Sequence, residues 1–173
     1  MKEKYHYSVR IMHWLTGIPI ILMLILGFWM KSLPNTYPVL KNIYILHKSI
    51  GIILLALLLL RVMFRTLSVI PPYYKGFPNY LAIISKITHV SLYILSITMA
   101  TSGYVMSSAS GRAIQIFSLN VPLLIDINEN IAIIAKQCHN VCAYMLSVTI
   151  ILHILAVLKH KFIDKDNIFN RII

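Results

Sequence analysis

Negative charge is what this sequence has least of: five acidic residues in 173 stand against sixteen Lys and Arg, and charged residues of both signs make up only 12%. Soluble domains are about 25% charged and about 45–50% apolar. Here 58% of residues are hydrophobic and the mean hydropathy is +0.77. That is too little polar surface to cover a soluble globule, which excludes a soluble enzyme, a disordered tail and a basic nucleic-acid binder. Two cysteines make no disulfide framework. The GxGxxG, P-loop, HExxH and GxSxG signatures are also absent. What the sequence does have is long apolar runs and a net charge of +11 that needs a distribution.

A transmembrane helix needs about 20 mostly apolar residues, because backbone groups in lipid must be satisfied within the segment. Four stretches qualify: roughly Ile11–Met30, Tyr44–Phe64, Ile87–Ser107 and Cys138–Leu158. The first has full length, contains His13, Trp14 and Pro19, and precedes no small-residue cleavage site, so it is expected to stay in the protein. Lys and Arg favour the cytoplasmic flanks of such spans. Eleven of the sixteen flank one side: Lys2, Lys4 and Arg10; Arg61, Arg65, Lys75 and Lys86; Lys159, Lys161, Lys165 and Arg171. Only Lys31, Lys41, Arg112 and Lys136 fall in the first and third loops, and Lys48 lies just inside a span. Both termini are therefore expected in the cytoplasm. The expected architecture is one all-α, four-helix integral membrane bundle without internal repeats.

Pro71, Pro72 and Pro78 mark the second loop as an ordered turn region. The third loop, about 108–136, is too apolar in its GRAIQIFSLNVP stretch for a solvated connection. It is expected to fold back onto the outer mouth of the bundle as an interfacial segment.

Ionisable residues inside spans are costly and mark function by default. Of seven histidines, His6 and His160 read as interfacial, whereas His13, His47, His89, His139 and His153 lie within spans. His139 and His153 are 14 residues apart. At 3.6 residues per turn that is close to four turns, so they share a face about 21 Å apart. His13 lies near the inner end of the first span and His47 near the outer end of the second. Two level pairs result, His13 with His153 inside and His47 with His139 outside.

Paired imidazoles across a bundle suit an octahedral iron whose equatorial positions are filled by a porphyrin, as in b-type cytochromes. A flat macrocycle needs room one turn from its ligand. At i+4 the four candidates are followed by Gly17, Gly51, Ala143 and Val157, whereas His89 is followed by Tyr93. His89 is accordingly read as a hydrogen-bonding residue near the inner haem or a quinone. The competing reading, helix-bridging hydrogen bonds worth about 0.6–2 kcal/mol each, leaves the matched depths unexplained. Bare zinc or copper fits less well, because two nitrogens make an incomplete site. Without CxxCH a covalent c-type haem is not expected, and Cys138 and Cys142, one turn apart, read as packing residues.

With the histidines placed, the chain resembles the bacterial cytochrome b561 family of di-haem inner-membrane proteins over nearly its whole length. The resemblance rests on YHYSVRIMHWLTGIPIILMLILGFWM, LHKSIGIILLALLLLRVMFR, SGRAIQIFSLNVP and KQCHNVCAYMLSVTIILHILAVLKHKFIDKDNIFNRI. Within these, HW at 13–14, HKxxG at 47–51, the 14-residue histidine spacing and the terminal KDN are specific in combination. Cytochrome b subunits of hydrogenases and formate dehydrogenases look similar in outline, with longer chains or different haem spacing. The resemblance implies two b-type haems (heme b), with His13 and His153 as axial ligands of the inner iron and His47 and His139 of the outer one. It also implies electron transfer linked to the quinone pool; at least one family member is described as oxidising superoxide outside and reducing ubiquinone.

Haem propionates are anionic, so cations should gather round both sites. Lys48, Lys136 and Arg112 are the outer candidates and would also attract an anionic donor such as superoxide. On the inner side Arg10, Arg61, Arg65, Lys159 and His160 are candidates for propionates or a quinone carbonyl, with His89 or His160 as proton shuttle. Two functions stand in competition: a stand-alone oxidoreductase between an external donor and quinone, and a relay or anchor subunit for a separate dehydrogenase or hydrogenase. A transporter is disfavoured because no acidic residue lies in any span.

Overall fold

The structure is a computed structural model that describes residues 4–73, 77–116, 119–166 and 168–173. Lys2, Lys75 and Asn167, used in the sequence reading, lie outside the described residues, as do Phe117 and Ser118 of the third loop. Among the described residues four long helices are present: α1 (Tyr7–Ser32), α2 (Leu40–Leu67), α3 (Asn79–Ala109) and α4 (Glu129–Phe162). Each is long and apolar enough to cross a membrane.

Every helix runs past its apolar stretch, because its polar end residues keep their backbone bonds beyond the hydrocarbon. Lys31, Lys41 and Lys136, expected in loops, therefore stand on helix ends. The termini carry local signals. The Asn128 side chain accepts from the Ile131 amide at 3.1 Å and caps α4, with Glu129 in the first turn and Lys159, His160 and Lys161 in the last, all favourable for the helix dipole. Past the end of α3, Gly111 takes a positive φ of 63°, and a Cβ there would lie 2.9 Å from the Ile127 side chain. Only glycine fits that reversal.

The interior mixes large apolar residues, among them Met23, Leu24, Leu54, Leu58 and Leu146, with small hydroxylated ones. Thr16, Ser96, Ser102, Ser107 and Ser108 are buried, while Leu22, Ile25, Ile83, Ile134 and Leu155 point outward. The buried hydroxyls suit a membrane bundle, where small polar residues let backbones approach. α3 packs most extensively on α4, α1 on α2 and α2 on α3, while α1 and α4 meet only lightly.

The third loop does fold back onto the bundle, but as an antiparallel hairpin of β1 (Ile114–Ile116) and β2 (Leu119–Val121). Donors on the helices hold it. Lys48 Nζ donates to the Ala113 carbonyl at 2.8 Å, the Ser49 hydroxyl donates to the Gln115 carbonyl, and Tyr104 OH donates to the Pro122 carbonyl at 2.8 Å. Ile114 is 1% exposed, so the hairpin presses a side chain into the bundle mouth.

At the opposite end the two tails and the second loop meet. The Tyr5 amide donates to the Arg171 carbonyl at 3.0 Å, Trp14 Nε1 donates to the Ile172 carbonyl at 3.2 Å, and the Arg171 guanidinium donates to the Pro71 and Pro72 carbonyls.

Candidate functional site

At the hairpin end His47 on α2 faces His139 on α4, with ring centroids 6.4 Å apart and planes crossed at 78°. Three local features set this pair. His139 Nδ1 donates to the Met99 carbonyl at 2.8 Å, which places the proton on Nδ1 and leaves Nε2 bare. Gly103 lies under that ring, where a Cβ would come within 3.1 Å of His139 Cε1. Gly27 on α1 stands similarly beside His47, with a Cβ there 3.5 Å from His47 Cε1. His47 Nδ1 is buried with no hydrogen-bond partner.

The pair lines a cavity of about 710 Å³ of empty space, part of it open to the surroundings, with Gly51, Gly103, Leu146 and Ile114 among its walls. A Cβ on Gly51 would meet nothing within 4 Å, nor would one on Gly17 beside His13. A metal–imidazole nitrogen bond is about 2.0–2.1 Å, so the centroids of two trans imidazoles stand about 6 Å apart. The spacing, the bare nitrogen and the open strip beside Gly51 fit a flat macrocycle with two axial imidazoles.

The other end brings three histidines together. The His89 and His153 rings have centroids 5.4 Å apart, and His13, which the sequence pairs with His153, stands at the same end bonded to Arg61. His89 Nδ1 donates to the Ser85 carbonyl at 2.6 Å, which again leaves a bare Nε2. His13 Nδ1 accepts from Arg61 Nη2 at 2.9 Å. Arg61 Nη1 donates to Thr16 Oγ1 at 2.7 Å, and the fully buried Thr16 hydroxyl donates in turn to the Met12 carbonyl. Tyr93, the residue expected to obstruct a macrocycle beside His89, has its ring 5.2 Å from the Arg61 guanidinium.

The remaining candidates are differently engaged. Lys48 spends its ammonium on the Ala113 carbonyl and, at 3.3 Å, the Ser107 hydroxyl. Arg112 is exposed. His160 Nδ1 lies 2.8 Å from Asp166 and 3.1 Å from Asp164, and Lys159 pairs with Asp164 at 2.6 Å. Cys142 is buried and Cys138 half-buried, both as free thiols.

Sequence reasoning did not single out Gly103, Gly27, Thr16 or the Met99 carbonyl. The two glycines had a usable signal, since a glycine within a span marks close helix approach. The carbonyl had none.

The sequence profile of the prokaryotic cytochrome b561 family matches residues 4–173. The chain belongs to that family. Among its relatives is the cytochrome b561 homolog 2 of Escherichia coli (strain K12), 32% identical over 172 residues, covering 99% of this chain and 92% of the relative. The probable superoxide oxidase CybB of Yersinia pestis is 28% identical, covering 96% and 94%. The cytochrome b561 homolog 1 of E. coli is 24% identical, covering 90% and 89%. This member of the cytochrome b561 family is therefore a multi-pass inner-membrane protein of electron transfer that binds b-type haem.

Proposed function

We propose that the chain binds two b-type haems, one of which His47 and His139 would hold and the other His13 and His153, and links a donor outside the membrane to quinone at the inner side. The observation that carries the reading is the His47–His139 pair, 6.4 Å between centroids, opening on a cavity beside Gly51. Haem so held supplies one-electron exchange between ferric and ferrous iron. The chain's own residues do the rest. The Met99 carbonyl keeps His139 in the ligating tautomer, and the hairpin with Ile114 covers the outer mouth.

The eleven basic residues on their side support cytoplasmic termini. Ubiquinone or another quinone then meets the chain at the His13 end, where His89 or His160 would shuttle the proton. His160, held by Asp164 and Asp166, is placed to take a proton from water and return it. The donor we assign is superoxide. Two superoxide ions give up one electron each and leave as dioxygen, and one quinone takes two electrons and two protons to become quinol. The printed name of the Yersinia pestis relative, a probable superoxide oxidase at 28% identity, supports this choice of donor.

Purified protein should show a redox difference spectrum with two non-covalent b haems per chain by pyridine haemochromogen assay; a colourless protein overturns the reading. Superoxide consumption that needs quinone and no partner protein establishes the oxidoreductase. If electrons enter only from an added dehydrogenase or hydrogenase, the chain is the relay subunit instead.

A further inference from the structure

At the His13 end three half-buried arginines each keep one guanidinium nitrogen without an acceptor, although Arg65 also lies over the Tyr5 ring at 4.9 Å. Arg10 Nε, Arg61 Nε and Arg65 Nη1 are buried without any hydrogen-bond partner. The five acids of the chain are Glu3, Asp126, Glu129, Asp164 and Asp166. Glu3 lies outside the described residues, Asp126 and Glu129 stand at the opposite end, and Asp164 and Asp166 are engaged by Lys159 and His160. Among the described residues no carboxylate pairs with the three arginines. Unpaired charge within a membrane bundle is costly, and donors left without acceptors add to that cost.

Helical register brings the three arginines towards one end of the bundle. α1 and α2 are packed neighbours, and Arg61 bonds to His13, which sets their common level. Arg10 precedes His13 by three residues and Arg65 follows Arg61 by four, so both lie about one turn nearer the bundle end. The arginines thus run from the His13 ring towards the mouth.

Arg61 has a defined free edge. Its Nη1 is committed to the buried Thr16 hydroxyl, and its Nη2 donates to His13 Nδ1. A histidine that ligates iron through Nε2 carries its proton on Nδ1 and cannot accept there. Ligation by His13 therefore releases Nη2, which with the unpartnered Nε forms the side edge of the guanidinium fork. Two parallel N–H groups on that edge match a carboxylate.

We infer that Arg61, Arg65 and Arg10 form a carboxylate-binding site for the propionates of the inner haem. The inference rests on the ligand assignment under Proposed function. Two carboxylates on one edge of a macrocycle ligated by His13 supply the acceptors that the three guanidiniums lack. A lipid phosphate is the weaker occupant, because Arg61 touches His13 and the fully buried Thr16, deeper than a headgroup sits.

The test is a spectroscopic redox titration of the purified holoprotein and of Arg10→Gln, Arg61→Gln, Arg61→Lys and Arg65→Gln. The wave lost in His139→Ala identifies the outer haem. Reduction adds one negative charge to the haem, so removing a nearby cation disfavours the ferrous form. Each Gln variant should lower the inner midpoint by a few-fold to about tenfold in reduced-to-oxidised ratio, tenfold being 59 mV for a one-electron couple. The outer wave should stay in place, and Arg61→Lys should recover part of the shift. If Arg61→Gln loses its inner haem outright, Arg10→Gln and Arg65→Gln decide, since neither residue bonds to His13.

Unchanged inner midpoints in Arg10→Gln and Arg65→Gln with full haem content overturn the inference while leaving the haem reading intact. Loss of co-purified anionic phospholipid without a midpoint shift overturns it in favour of lipid. A wild-type chain without haem overturns both readings.

Discussion

Gly51→Leu tests the site through a position that touches no protein. A Cβ at Gly51 meets nothing within 4 Å, and the residue lines the cavity one helical turn from His47. A leucine there enters open space, so the bundle itself should be unaffected. A macrocycle ligated by His47 and His139 would occupy the same strip, and overpacking a filled site costs typically 1–3 kcal/mol. At about 1.4 kcal/mol per tenfold change, the outer haem should bind roughly 5- to 150-fold more weakly. The assay is the haemochromogen ratio of haem to protein, together with the loss rate of the outer redox wave to apomyoglobin. Helical content by circular dichroism should be unchanged and the inner wave retained. Full retention of the outer haem in Gly51→Leu, with an unchanged loss rate, would refute the placement of a macrocycle in this cavity.

Substitution of His47 or His139 by Ala should remove one haem and spare the other, read as loss of one of two redox waves. The sharper case is His89, whose ring stands 5.4 Å from that of His153: His89→Ala should keep both haems and slow quinone reduction at least several-fold, whereas loss of a haem would transfer the inner ligand role from His13 to His89. Lys48→Met removes a charge-assisted bond to the Ala113 carbonyl and should loosen the hairpin by about 1.5–3 kcal/mol, since hydrogen bonds to charged groups carry that range. The expected readout is faster proteolysis within residues 112–121 with haem content unchanged, and equal cleavage rates would show that the hairpin is held by Ile114 packing instead.

The four spans were legible because hydrocarbon thickness sets a minimum apolar length that few other structures need. Helix ends were less so: α3 begins at Asn79 and α4 at Glu129, well before their apolar stretches, since capping by Asn128 and continued backbone bonding cost nothing in water. The third loop was legible as a fold-back from its apolar composition. Its hairpin form was not, because it depends on acceptors meeting Lys48, Ser49 and Tyr104, which lie 18 to 66 residues away on the helices.

Sequence alone determined that this is a four-span membrane chain, which end of each helix its histidines occupy, and that the two tails share one side. Those properties follow from length, charge and helical rise, which act along a single segment. Which side chains meet at each depth was decided only by tertiary structure. Helical periodicity fixes height along an axis but not the rotation of one helix against the next, which close packing decides. So Gly103 comes under His139, His89 comes against His153, and Arg61 reaches His13 across the bundle.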